Sequence, residues 1–151
     1  MIATLDLADG LCALELLAFQ RRAYQSEADL LGYPALPPLH ETLPELMDCC
    51  ERILAWREDG ELLGIIGYFE TPTHIDITRL ATSPARRRQG IARKLLQHLI
   101  DLHRGRTLTA STGMANAPAI GLYAQLGFTP THESHTPDGL TLLHLQRNGA
   151  S

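Results

Sequence analysis

Apolar positions along the chain fall into two periods. Leu11, Leu14, Leu17 and Ala18 follow Asp9 at helical spacing, and Asp9 is a residue type that caps helix starts. This predicts a helix from Asp9 to about Tyr24, after a short strand near Ile2–Leu5. Ser26-Glu27-Ala28-Asp29 opens a further turn or two of helix, which Gly32 and the proline-rich stretch from Tyr33 to Pro38 must end. Thr42-Leu43-Pro44-Glu45 has the form of a capping box with proline in the first turn, and predicts a short helix to about Cys50.

Period two then takes over. Ile53–Trp56 and Leu62–Phe69 flank Asp59-Gly60, a hairpin turn signal, and Leu62–Phe69 is apolar on both faces, as a central strand is. Thr71-Pro72-Thr73 turns the chain into a strand over His74–Thr82, with Ile75 and Ile77 on one face and Asp76, Thr78 and Leu80 on the other. Ile91, Leu95, Leu99 and Leu102 form one stripe of a helix from about Gln89 to His103, ended by Gly105. Thr107–Ala110 reads as a strand and Asn116–Leu126 as a helix stopped by Gly127. Pro137-Asp138-Gly139 joins two last strands, from Phe128 onward and over Leu140–Leu145. This order predicts an α/β fold with a mixed, largely antiparallel central sheet flanked by helices. A doubly wound dinucleotide fold would alternate strand and helix throughout, and this chain does not.

A length of 151 residues fits one domain spanning the whole chain. The longest apolar stretch is broken by Gly64 and Gly67 and falls short of the ~20 residues of a membrane span. The start Met1-Ile2-Ala3-Thr4-Leu5-Asp6 lacks the basic and apolar regions of a secretory signal, so a cytoplasmic location is expected. Cys12, Cys49 and Cys50 have no metal-type spacing and read as small apolar residues of a reducing compartment. The histidines lack a third ligand at suitable spacing, so no metal is expected.

The formal net charge is −4, from 13 basic and 17 acidic side chains. Arg86, Arg87, Arg88, Arg93 and Lys94 nevertheless stand together with no acid among them. The acidic remainder speaks against nucleic acid or an anionic membrane as partner. The cationic spot is either a solvated helix face or a seat for a compact polyanion such as a phosphorylated cofactor.

Two motifs bear on that choice. Arg87-x-x-Gly90-x-Ala92 lies between a strand and a helix, where the first helical N–H groups point outward and bind phosphates. No Gly-Lys-[Ser/Thr] follows, so this is not a P-loop, and alone it reads as a plain helix start sooner than as a binding loop. In the second motif Ala119, Leu122, Tyr123 and Leu126 share one helix face, which turns Tyr123 toward the apolar side. Periodicity alone makes it a core tyrosine whose hydroxyl is tied to a carbonyl.

Taken together, Leu80–Ala92 and Asn116–Phe128 resemble the GNAT superfamily of acyl-CoA-dependent N-acetyltransferases, in order as well as in residues. Three positions depart from the family pattern: Ala92 replaces a frequent glycine, Arg86 a common aromatic, and Asp76 the more usual glutamate. The resemblance implies a sheet splayed between the strand ending at Thr82 and the strand at Thr107–Ala110, with acetyl-CoA inserted between them. Main-chain groups of Leu80, Ala81 and Thr82 would pair with the pantetheine amides. The stretch Arg87, Arg88, Gln89, Gly90, Ile91, Ala92 and Arg93 would hold the pyrophosphate, and Asn116 would contact the pantetheine arm.

The implied reaction is direct transfer of an acetyl group, in a ternary complex, to a primary amine of a small molecule or peptide. Tyr123 would protonate the departing sulfur, and Asp76 would accept the amine proton through a water. Tyr24, Glu27, Tyr33 and His40 would wall the acceptor site. Two other classes stay open: a non-catalytic acyl-CoA-binding module, and an RNA-directed, tRNA-acetylating toxin-type protein that uses the arginine run. The assembly this reading allows is a homodimer through the last strands.

Overall fold

The structure is a computed structural model and describes residues 1–86 and 89–149. Its strands are β1 (Ile2–Thr4), β2 (Arg52–Glu58), β3 (Glu61–Glu70), β4 (His74–Thr82), β5 (Thr107–Gly113), β6 (Thr129–His135) and β7 (Thr141–Arg147). They form one sheet in the order β1-β2-β3-β4-β5-β7-β6. Among the described strands only β4 and β5 run parallel; the other neighbours are antiparallel. The helices are α1 (Gly10–Leu31), α2 (Pro37–His40), α3 (Leu43–Met47), α4 (Ile91–Leu102) and α5 (Ala117–Gln125). Among the described residues no helix is long and apolar enough to cross a membrane.

Helix α1 is continuous where two helices were expected. The Asp9 carboxylate accepts the Leu11 N–H at its start, and Gly32 ends it at φ 63°, a left-handed conformation that glycine adopts without a side-chain clash. No breaker stands between Tyr24 and Ser26. Ala23, Tyr24 and Ala28 carry the buried stripe of Leu16, Leu17 and Phe19 to the end of the helix, so each added turn gains packing. The Thr42–Glu45 capping box forms as expected, but α3 stops at Met47, before Cys50, whose φ is +60°. A short helix, α2, follows within the proline-rich stretch, with proline in its first turn, where the missing N–H costs nothing.

The sheet is packed on both faces. Leu16 and Phe19 of α1, with Leu46 of α3, pack with Ile53 and Ile65. On the other face Leu95 and Leu99 of α4 join Ile75, Leu108, Tyr123 and Phe128. Helix α4 lies close because Gly64 has no side chain: a Cβ there would stand 2.6 Å from Ile91 Cγ2.

Two irregularities in β4 position the site. Gly67 pairs with Arg79 and Tyr68 with Ile77, so Thr78 is an extra residue in β4. The bulge resets the alternation of side chains. Leu80 packs with the cluster that holds Ile75 and Ile77, not on the face of Asp76 as the simple alternation predicts, and Arg79 is turned toward α1. The second irregularity is a parting of strands. β4 and β5 pair only from His74–Asp76 to Thr107–Thr109. Beyond that point β4 runs on beside β3 to Thr82 and β5 beside β7 to Gly113, and a wedge opens between them.

Candidate functional site

Two cavities open where the strands part. The smaller, about 330 Å³, is lined by Leu80, Ala81 and Thr82 of β4, Ala92 of α4, and Asn116 with Leu122 at α5, against the second half of α1. Its walls are mostly small and apolar, and the β4 main chain bordering it has no strand partner on that side. Gly90 caps α4 at φ 78°. The Lys94 N–H is bonded to the Gly90 carbonyl, which leaves the N–H groups of Ile91, Ala92 and Arg93 without partners inside the helix. Around them Arg93 donates to Gln125 at 2.6 Å, Arg86 bonds Gln89 and Glu58, and Lys94 lies over the Trp56 ring. Arg87 and Arg88, both expected in the phosphate loop, lie outside the described residues.

The larger cavity, about 580 Å³, is lined by the end of α1, by α2, and by parts of β4, β5, α5 and β7. A charged cluster forms part of its wall. Arg79, only 6% exposed, donates from Nη1 to Glu41 (2.6 Å) and Gln20 (2.8 Å), from Nη2 to Glu41 (2.9 Å) and Glu51 (3.0 Å), and from Nε to Glu51 (2.8 Å). Burial works against the Arg79 charge, but the two carboxylates outweigh it and raise its pKa. Burial likewise pushes Glu41 up, yet the hydrogen bonds from Arg79 and Gln20 prevail and hold its carboxyl below the usual range. Gly67 makes room for the cluster, since a Cβ there would stand 3.1 Å from Glu51 and 3.2 Å from Arg79.

Most of the expected residues converge on these cavities. Leu80, Ala81, Thr82, Ala92 and Asn116 line the smaller one; Tyr24, Glu27, His40 and Tyr123 line the larger. Tyr123 is buried, and its phenol pKa is raised first by that burial and then by the negative charge of Glu27. Gln89 and Gly90 are exposed at the head of α4, whereas the Ile91 side chain is buried against β3, leaving only its main chain toward the loop. Tyr33 lines neither cavity; its hydroxyl donates to Asp138 at 2.7 Å, across to the β6–β7 turn. Asp76 also lies outside both cavities, at the last paired position before the parting, where it accepts the Thr109 hydroxyl at 2.9 Å.

Sequence reasoning missed the Arg79 cluster. The signal was a cation in the middle of a strand that is otherwise half-buried, since a buried arginine requires carboxylate partners. The partners themselves come from distant parts of the chain.

A family model for the acetyltransferase (GNAT) family matches residues 15–128. The chain belongs to this family. The UPF0157 protein YqkA of Bacillus subtilis (strain 168) is 34% identical over 143 residues, which cover 94% of this chain and 42% of YqkA. The present GNAT chain therefore spans about two-fifths of that relative's length. The ribosomal-protein-S18-alanine N-acetyltransferase of Escherichia coli shares the GNAT fold with a TM-score of 0.78 at 21% identity, over 100% of this chain and 96% of that one. YncA of Salmonella typhimurium, solved with its cofactor acetyl-CoA, does so with a TM-score of 0.71 at 19% identity, over 100% of this chain and 94% of that one.

Proposed function

We propose that this GNAT chain transfers the acetyl group of acetyl-CoA to a primary amine of a small molecule or peptide, by direct attack with both substrates bound. The observation that carries the reading is the parting of β4 and β5, which sets a main-chain edge, a helix start and a buried phenol around one wedge. The residues fit the cofactor. Ala81, Ala92 and Ala119 leave width for a pantetheine arm, whose amides would pair with the main chain of Leu80–Thr82 as a strand would. The N–H groups of Ile91, Ala92 and Arg93 suit the pyrophosphate, and Asn116, in the cavity wall, would border the arm.

Acetyl-CoA supplies an activated acyl thioester. The protein's part is to align it, admit the amine from the larger cavity, and protonate the departing sulfur. That last role is assigned to Tyr123: a phenol is protonated at neutral pH and has a proton to give, and burial beside Glu27 raises its pKa further. Glu27, Glu41, Glu45 and Glu51 face the larger cavity against the single cation Arg79 among its lining residues, which favours a cationic acceptor.

A thiol-release screen of amines with acetyl-CoA tests the reading. Amine-dependent release, strongest for cationic amines, is expected. CoA binding with no release from any amine would instead mark a non-catalytic module, and salt-sensitive tRNA binding would favour an RNA-directed protein.

A further inference from the structure

The two cavities share a short wall made of Tyr24, Glu27, Leu80 and Ala119. On the acetyltransferase reading the thioester reaches this wall from the smaller cavity and the amine from the larger, so the reacting carbon lies against it. An alkylammonium of pKa about 10.4 has no lone pair, and must lose a proton before its nitrogen can attack. Among the described residues of the shared wall, only Tyr24 and Glu27 carry ionisable groups.

The other candidates lie off the shared wall. Glu41 and Glu51 are bonded to Arg79. Glu45 accepts the Thr42 N–H in the capping box, which lowers its pKa. His40 lines only the larger cavity, with its Nε2 at 2.5 Å from the Pro34 carbonyl oxygen. Asp76 accepts from Thr109 outside both cavities. Tyr24 is raised by burial and by the charge of Glu27, and keeps its proton.

Glu27 is held in place by a helix cap. Asn116, 7% exposed, starts α5 by accepting the Ala119 N–H with its Oδ1, which fixes the direction of its Nδ2. That Nδ2 donates to Glu27 Oε1 at 2.8 Å. Among the described residues, this carboxylate is faced by Tyr24 from α1 and by Tyr123 and Asn116 from α5, with Arg79 of β4 acting on Tyr24.

We propose that Glu27 is the general base, accepting the proton of the incoming ammonium at the junction of the two cavities. The amine nitrogen, once deprotonated, forms the N–C bond as the C–S bond breaks. The sulfur takes the Tyr123 proton, and the phenol regains one from the nitrogen that has become the amide. The proton left on Glu27 passes to solvent. This rests on the acetyltransferase reading above.

The test follows kcat/KM for the best amine of the thiol-release screen over about pH 6.5 to 9.5, with CoA affinity measured by calorimetry. Glu27→Gln should bind CoA within about twofold of the unaltered protein and lose about 10² to 10⁴-fold in kcat/KM at neutral pH. The loss should shrink about tenfold per pH unit toward the pKa of the amine, as free amine accumulates. Glu27→Asp, which retains a carboxylate, should keep the flatter profile of the unaltered protein at reduced rate, and serves if the Gln variant fails to fold. A Glu27→Gln enzyme as active as the unaltered one, a Glu27→Asp enzyme with the steep profile, or the pH-linked loss arising in Asp76→Asn instead would each overturn the proposal alone. An unaltered protein that acetylates no amine would overturn it together with the reading on which it rests.

Discussion

The smaller cavity is walled by Leu80–Thr82, Ala92, the first turns of α5 and the second half of α1, and its character comes from small side chains and open main chain. The larger draws its wall from α1, α2, β4, β5, α5 and β7, and its character comes from charged side chains carried by chain segments far apart in sequence. Main-chain recognition needs only a correct backbone path and a missing neighbour, so it survives many substitutions. Side-chain recognition depends on particular groups meeting across the fold. On the proposed function the first suits a constant cofactor and the second a particular acceptor.

The comparison can be broken at several points. The largest effect is expected at Tyr123, in the wall of the larger cavity. Tyr123→Phe keeps the ring against Phe128 and should lower kcat about 10² to 10⁴-fold with the KM for acetyl-CoA nearly unchanged. A core tyrosine with no chemical role would give the reverse: about 1 to 2 kcal/mol of lost stability and an intact kcat. Thermal unfolding and steady-state kinetics on one preparation separate the two.

In the larger cavity Arg79→Met removes a buried cation from two carboxylates left 14% and 10% exposed, and should cost about 3 to 5 kcal/mol in a urea titration. Arg57→Met, which breaks a half-exposed pair with Glu15, should cost about 0 to 1 kcal/mol. Should the two variants prove equally stable, the Arg79 cluster is not the structural anchor of that wall.

At the smaller cavity Gly90→Glu puts a carboxylate at the head of α4, where a Cβ meets nothing within 4 Å but the φ of +78° strains any side chain. CoA affinity should fall about a hundredfold through repulsion of the pyrophosphate, while the fold is retained. Calorimetry that returns an unaltered CoA affinity would remove α4 from the cofactor site.

Acid gives the smallest effect. The Glu41 pKa is depressed in the folded protein, so its contribution to stability is complete above the unfolded value of about 4.3 and is lost as the pH falls through the folded value. The urea midpoint should therefore drop below about pH 4, and Glu41→Gln should flatten that part of the curve. A variant curve parallel to that of the unaltered protein would show that other carboxylates govern acid unfolding.

The legible part of the site was its contiguous part. Leu80–Thr82, Ala92, Asn116 and Tyr123 were named from two short motifs, and each lines one of the cavities. Glu27 was expected only as a wall of the acceptor site, because nothing in the neighbourhood of Ser26 and Ala28 indicates that Asn116, 89 positions away, bonds to it. Tyr33 was expected in the same wall and instead reaches Asp138, since the turn after β6 was not placed against the loop beyond α1.

Within the fold, the sequence by itself determined whatever depends on near neighbours in the chain: the Asp9 and Asn116 caps, the Thr42–Glu45 box, the Asp59-Gly60 turn, and the strand period of β3 and β4. Only the tertiary structure decided the continuity of α1, the face of Leu80, the partners of Arg79 and the point at which β4 leaves β5. A cap or a tight turn is closed by groups a few residues apart, so its free energy is local and its signature is written in consecutive positions. A bulge exists only relative to the register of a neighbouring strand, and a buried charge is tolerated only once its counter-charges arrive from elsewhere in the chain.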